Sequence, residues 1–316
     1  VIKMVVVSVV GSIHMDFYIR LPKLPQQDET VIGYGFTMLP GGKGANQAVA
    51  AARLGAETYF IGRVGRDLFG EKLVDVLKIN NVNVDYVAFD DAVYTGVAFI
   101  LLNSSGENMI AVAPGTDHKV SKEDVDRAID VVKRSNAMLL QLEIPIDTVL
   151  YAAKVGWENN VNVVLNPAPA THLPSEIYRY IYAMTPNRVE LSMLTGISIK
   201  NLDDVVKAGR VLIEKGVKYV IATLGANGSM VISENRSVHV PAFKVDVVDT
   251  TGAGDVFSAA LAVFIAEGMD IIEACRMANA AAALKITKMG AQSAPTREEL
   301  KQFLKSYSIA EAIKAR

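Results

Sequence analysis

Two rhythms of apolar and polar positions alternate along the chain. Apolar runs rich in β-branched, leucine or aromatic residues at 4–10, 58–62, 137–141, 161–165, 181–185 and 219–223 read as buried strands, because short runs of such residues with few polar interruptions suit a sheet covered on both faces. Between them, apolar residues recur at helical spacing over 45–54, 68–77 and 202–215, with further helical stretches at 271–285 and 297–304. Strands that alternate with helices predict an α/β fold, with a mainly parallel central sheet between two helical layers.

Two segments break this alternation. Residues 12–38 and 93–113 have the pattern of short strands joined by polar turns, the second a hairpin turning at 103–107. They predict a small second sheet outside the main core, which is either a flap over a site or a set of ordinary edge strands. No repeat, low-complexity tract or linker divides the chain, so residues 1–316 are expected to form a single domain.

Composition narrows the function. A chain of 316 residues, 51% hydrophobic and 21% charged, can bury a large core. Its formal charge of -2 gives no field for a polyanion, so nucleic acid is not an expected partner. Cys275 is the sole cysteine, which excludes an internal disulfide or a cysteine-based zinc site and suits a reduced, cytoplasmic setting. The run at 4–10 lacks the flanks of a signal peptide and reads as a first strand. No apolar run reaches the roughly 18 to 20 residues of a membrane span.

The candidate chemistry lies in two glycine clusters. In Asp249-Thr-Thr-Gly-Ala-Gly-Asp255 a Gly-x-Gly turn opens an apolar helix. Such a turn aims backbone N–H groups at an anion, and Gly252 and Gly254 clear the approach. Asp255, in the first helical turn, either serves that site or merely complements the helix dipole. The second cluster, Pro40-Gly-Gly-Lys-Gly-Ala-Asn-Gln47, opens another helix. Lys43 and Asn46 suit a polyhydroxylated ligand, with helix capping by Asn46 as the alternative. A Walker loop is excluded there by Thr37 and Gly44, and a dinucleotide fingerprint after the first strand is excluded by the single glycine of Gly11-Ser-Ile-His-Met-Asp16. Asn187 and Glu190 have the spacing of a capping box.

Taken in order with Asn166-Pro-Ala-Pro169, Thr223-Leu-Gly225 and Gly290-Ala-Gln292, these motifs resemble the ribokinase, or phosphofructokinase-B, family of ATP-dependent carbohydrate kinases along nearly the whole chain. The resemblance implies a ribokinase-like α/β/α fold with the small sheet as a lid. It makes Gly252, Ala253 and Gly254 an anion hole and Asp255 the base for the sugar hydroxyl. It places sugar at His14, Asp16, Gly42, Lys43, Asn46, Glu143 and Asp255, and ATP at Asn187, Thr223, Gly225, Gly228, Gly254 and Asn279, with Glu190 organising Mg2+. A monovalent cation, K+, would sit among Asp249, Thr251, Lys285, Lys288, Gly290 and Ala294, largely on backbone carbonyls.

The expected reaction is phosphorylation of D-ribose to D-ribose 5-phosphate, in a homodimer paired through the lid. Two places depart from the family pattern: His14 stands where Asn is usual, and Gly115-Thr-Asp117 replaces Gly-Ala-Asn. His14 keeps one hydrogen bond to the sugar, shifts the preference to 2-deoxyribose, another sugar or a nucleoside, or simply packs. A non-catalytic sensor on the same fold is the remaining alternative.

Overall fold

The computed structural model describes residues 4–314, with side chains through 307. The strands, in chain order, are β1 (Val6–Val10), β2 (His14–Leu21), β3 (Gly35–Gly41), β4 (Glu57–Gly65), β5 (Val82–Asp90), β6 (Gly96–Asn103), β7 (Asn108–Ala113), β8 (Ala137–Leu140), β9 (Asn162–Leu165), β10 (Ala183–Met184), β11 (Tyr219–Thr223), β12 (Ser229–Ile232) and β13 (Ser237–Val240). The helices are α1 (Lys43–Arg53), α2 (Leu68–Ile79), α3 (Lys122–Arg127), α4 (Ile129–Arg134), α5 (Ile146–Glu158), α6 (Arg188–Thr195), α7 (Leu202–Glu214), α8 (Ala253–Ala266), α9 (Ile271–Ile286) and α10 (Arg297–Lys314).

Nine strands form one sheet in the order β13-β12-β11-β10-β9-β8-β1-β4-β5, parallel from β5 through β11 and closed by the antiparallel pair β12 and β13. Side-chain alternation along the strands explains the layers. Val7 and Val9 of β1, Leu139 of β8 and Ile221 of β11 point into a core shared with α1, α2, α8 and α9. Val10, Met138, Leu140, Val220 and Ala222 point the other way, against α3 to α7. With both faces covered, the central strands read as unbroken apolar runs.

The second sheet has the order β3-β2-β6-β7 and uses the two segments that break the alternation. Phe17 of β2 stacks on Phe99 at 5.0 Å and meets Phe69 of α2 edge-on at 5.3 Å, which fixes this sheet to the main body. Several boundaries differ from the sequence reading. The strand expected at 181–185 shrinks to Ala183–Met184 behind a 3-10 turn at Ser175–Tyr180, the strand expected at 58–62 extends to Glu57–Gly65, and the last helix continues past 304. Among the described residues no helix is long and apolar enough to cross a membrane.

Candidate active site

Both glycine clusters open helices that run side by side. α1 starts at Lys43 after Gly42, whose φ of 92° glycine alone adopts readily. α8 starts at Ala253 after Gly252, at φ 76°. Gly252 is confined, since a Cβ there would lie 2.7 Å from the Ala291 carbonyl, whereas a Cβ on Gly254 would meet nothing within 4 Å. The open side of Gly254 faces a cavity of about 590 Å³, which Gly252, Ala253, Gly254 and Asp255 line. The first-turn amides of α8 lack helical acceptors, as at any helix start, so their dipoles favour an anion at this spot.

Asp255 is buried, and both its oxygens are held. Asn46 Nδ2 donates to Oδ2 at 3.0 Å and Gln47 Nε2 donates to Oδ1 at 3.1 Å. Gln47 is itself fixed, accepting from Gln141 Nε2 at 2.6 Å and donating to Asn166 Oδ1 at 3.3 Å. Burial raises the Asp255 pKa, opposed by the Lys43 ammonium and the two amide donors. Asp255 in turn is the largest cause of the raised pKa of Lys43. Asn46 therefore does not cap α1; its amide serves Asp255, and its Oδ1 is buried without a partner.

On one side of Lys43 and Asp255 lie the residues expected to hold nucleotide. Lys43, Asn187, Glu190 and Thr223 line the cavity, as do Gly225, Gly228 and Asn279. The Asn187–Glu190 capping box is complete: Asn187 Oδ1 accepts from the Glu190 amide at 2.9 Å while Glu190 Oε2 accepts from the Asn187 amide at 2.8 Å. The capped helix end is also cavity wall. Asn279 spends its amide on the protein, accepting from Ser229 Oγ at 2.7 Å and donating to the carbonyls of Val240 and Pro241. Its part is to hold the cavity edge in place.

On the other side stand His14, Asp16 and Glu143. Glu143 Oε2 accepts from Ser12 Oγ at 2.5 Å and from the Lys43 amide at 2.9 Å, tying the turn after β1, the start of α1 and the segment after β8 together. Desolvation raises Asp16 to about 6, with His14 and Lys43 opposing and Glu143 adding to it. The two departures from the family pattern meet here. His14 Nδ1 lies 2.8 Å from Asp117 Oδ2 and its Nε2 3.5 Å from Asp16 Oδ1, while Asp117 Oδ1 accepts from the Ile13 amide at 2.8 Å. Burial alone would lower the His14 pKa, but Asp117, Glu143 and Asp16 outweigh it and raise it to about 9. The ring is then imidazolium at neutral pH, a donor at both nitrogens.

The residues expected around a monovalent ion also converge. Asp249 Oδ1 accepts from the Thr251 amide at 2.9 Å and Oδ2 from the Gly290 amide at 2.8 Å, joining the turn before α8 to the loop after α9. Sequence reasoning missed Gln47 as an Asp255 partner and the role of Asp117. Gln47 follows Asn46 directly in the glycine cluster, and that adjacency is the one signal the sequence offers. The Asp117–His14 pair spans 103 positions and has no local signature.

This arrangement puts a restrained carboxylate between a polar cluster and a cavity that ends on a helix N-terminus, which suits transfer of an anionic group to a hydroxyl. The pfkB family carbohydrate kinases match residues 4–298. The ribokinase of Haemophilus influenzae is 39% identical over 298 residues, 94% of this chain and 97% of that protein. The deoxyribokinase of Salmonella typhi is 35% identical over 300 residues, covering 94% and 98%. Among solved structures, Arabidopsis thaliana ribokinase complexed with ribose and ATP superposes with a TM-score of 0.90 at 35% identity, covering 96% of this chain and 99% of that one. With its signature turns, its two sheets and its carboxylate all in place, the chain belongs to the pfkB family of carbohydrate kinases.

Proposed function

We propose that this kinase phosphorylates D-ribose with ATP, giving D-ribose 5-phosphate. The observation that carries the reading is the seat of Asp255, buried under the Asn46 and Gln47 amides at the junction of the cavity and the His14, Asp16 and Glu143 cluster. Asp255 accepts the proton of the attacking hydroxyl, and its raised pKa suits that task. Lys43 and the first-turn amides of α8 offset the charge that gathers on the transferring phosphoryl group. Asp16 and Glu143 accept from sugar hydroxyls, and Asn46 presents its free Oδ1 beside them.

The fit of the nucleotide rests on the open side of Gly254 and on the cavity that Asn187, Thr223, Gly225, Gly228 and Asn279 border. Mg2+ would be held near Glu190, a buried carboxylate on the cavity wall whose two oxygens accept from Asn187 and would reach the ion through water. When bound, it neutralises phosphate charge. K+ does not fit the residues in the same way, for the reason given in the next subsection.

The small sheet acts as a lid within a single domain spanning residues 1–316, since Asp16 on β2 brings it to the sugar side. A second copy would cover its exposed apolar face, making a homodimer. We place the enzyme in the cytoplasm, where ATP is at hand and the buried Cys275 thiol stays reduced.

A second reading, 2-deoxyribose as acceptor, is favoured by His14. As an imidazolium committed to Asp117 and Asp16 it cannot accept from a sugar hydroxyl, which an asparagine can. The test is a panel of ribose, 2-deoxyribose, fructose and nucleosides with ATP and Mg2+. Ribose is expected to give the highest kcat/KM. Preference for 2-deoxyribose would install the second reading, and preference for a nucleoside or for no sugar would sink both. His14→Asn should shift the ratio of ribose to 2-deoxyribose; an unchanged ratio means that His14 does not read the hydroxyl.

A further inference from the structure

Lys285 sits in the last turn of α9 with its side chain fully buried, and its ammonium turns inward to the spot where resemblance to the family places a monovalent ion. Nζ donates to the Asp249 carbonyl at 2.8 Å and to the Lys288 carbonyl at 3.4 Å, and stands 3.7 Å from Asp249 Oδ2. Of the four remaining carbonyls, three are engaged as well. That of Gly290 accepts from Ser293 Oγ at 2.7 Å, that of Ala294 from Arg53 Nε at 2.6 Å, and that of Lys285 from the Lys288 amide at 2.9 Å. The other lysine of the set does not compete, because Lys288 Nζ pairs with Glu299 at 2.6 Å.

A potassium ion on the same carbonyls would bring a second positive charge against the ammonium, with one carboxylate between them. The ammonium is also wired to the turn that the ion would have ordered. Asp249, which Lys285 holds, accepts from the Thr251 amide and the Gly290 amide, and the neighbouring Ala291 carbonyl fills the space that a Cβ on Gly252, at the start of α8, would take.

We propose that the Lys285 ammonium is a tethered cation that replaces the monovalent ion and orders the anion-binding turn, so that this enzyme works without added potassium. The activity arm of the test rests on the kinase reading above; the stability arm does not.

Turnover of ribose and the ligand-free melting temperature are measured in potassium chloride and in tetramethylammonium chloride at equal ionic strength. The wild type is expected to give equal values in the two salts. Lys285→Met, which keeps the stem and removes the charge, and Lys285→Ala, which vacates the site, are expected to melt lower in tetramethylammonium. Each should also lose about tenfold or more in turnover, as for a disordered oxyanion site. Potassium should recover both quantities in Lys285→Ala. A wild-type enzyme that is activated or thermally stabilised by potassium would overturn the proposal, as would Lys285 variants that match the wild type in tetramethylammonium. If the wild type phosphorylates no sugar in either salt, the kinase reading fails while the melting curves still decide the role of the ammonium.

Discussion

Asp255 gives up hydration to lie beneath two amide donors, and replacing it tests the chemistry without dismantling the site. In Asp255→Asn the new amide finds a ready acceptor, because Asn46 can flip to present the Oδ1 that now lacks a partner. The substitution should leave sugar and nucleotide binding nearly intact and lower turnover by about 10²- to 10⁴-fold, the range of general-base catalysis; retention of a tenth of wild-type turnover would contradict the base assignment. The pH profile carries the same signature. Desolvation raises both Asp255 and Asp16, the latter to about 6, so kcat/KM should fall as pH drops through about 6. A limb that begins only below about 4, where ordinary aspartates titrate, would mean that neither carboxylate acts as described. His14 and Asp117 make a separate claim at this scale. Both are buried, so His14→Asn strands an uncompensated carboxylate at a cost of about 3 to 5 kcal/mol, and the double variant with Asp117→Asn should recover most of it. Denaturation of the two single variants and the double variant measures the coupling, and additive effects would show that the pair does not interact. Because His14 is raised to about 9 in the fold against 6.5 unfolded, its contribution to stability is lost as pH rises through about 9, and because burial raises its partner Asp117 to about 6 the pair also weakens as pH falls through about 6.

At the scale of elements, the two glycines that open α8 should respond in opposite ways. Gly252→Ala forces a Cβ into the left-handed region and to 2.7 Å from the Ala291 carbonyl, so it should lower the melting temperature. Gly254→Ala meets no protein atom within 4 Å and replaces a helical glycine. Its melting temperature should stay level or rise while turnover and nucleotide affinity drop, because the methyl group enters the cavity. Equal activity in Gly254→Ala would mean that no ligand approaches this backbone. That a glycine turn opens a helix here was legible in the sequence; which glycine is sterically confined and which is open was not, because that depends on the loop after α9. The strands show a similar division. β1, β8, β9 and β11 are legible because burial on both faces leaves almost no polar position. β5 escaped notice because it lies at a sheet edge, where Asn83 and Asp85 break its apolar run. β12 and β13, four residues each and antiparallel, fall outside the strand-helix rhythm. The Asn46 and Gln47 amides under Asp255 span more than 200 positions, a contact that only the side-by-side course of α1 and α8 creates.

For the molecule as a whole, the large sheet has both faces covered and the small one does not. Register places Asp16, Ala98 and Val112 in one row across the small sheet and Tyr18, Ile100 and Ile110 in the next, so the face that carries Asp16 also carries exposed Ile110 and Val112. β7 adds an edge strand whose apolar residues are almost all exposed, the kind of edge that proteins normally cover or charge. The opposite face is already spent in part on Phe69 of α2. A second copy seated on the Asp16 face would cover both the edge and the exposed Ile110 and Val112, and a symmetric pair needs only one such patch. The protein should therefore run as a dimer in light scattering, and the double substitution Ile110→Lys with Val112→Lys should give a folded monomer, since neither side chain supports the core. Because the same face holds Asp16, separating the protomers should expose the proposed sugar side to water: KM for the sugar should rise several-fold while KM for ATP, proposed to occupy the cavity beside the large sheet, stays level. A wild-type monomer would remove the covering copy from the account, and a monomeric variant with unchanged sugar KM would show that the small sheet screens the pocket within its own chain.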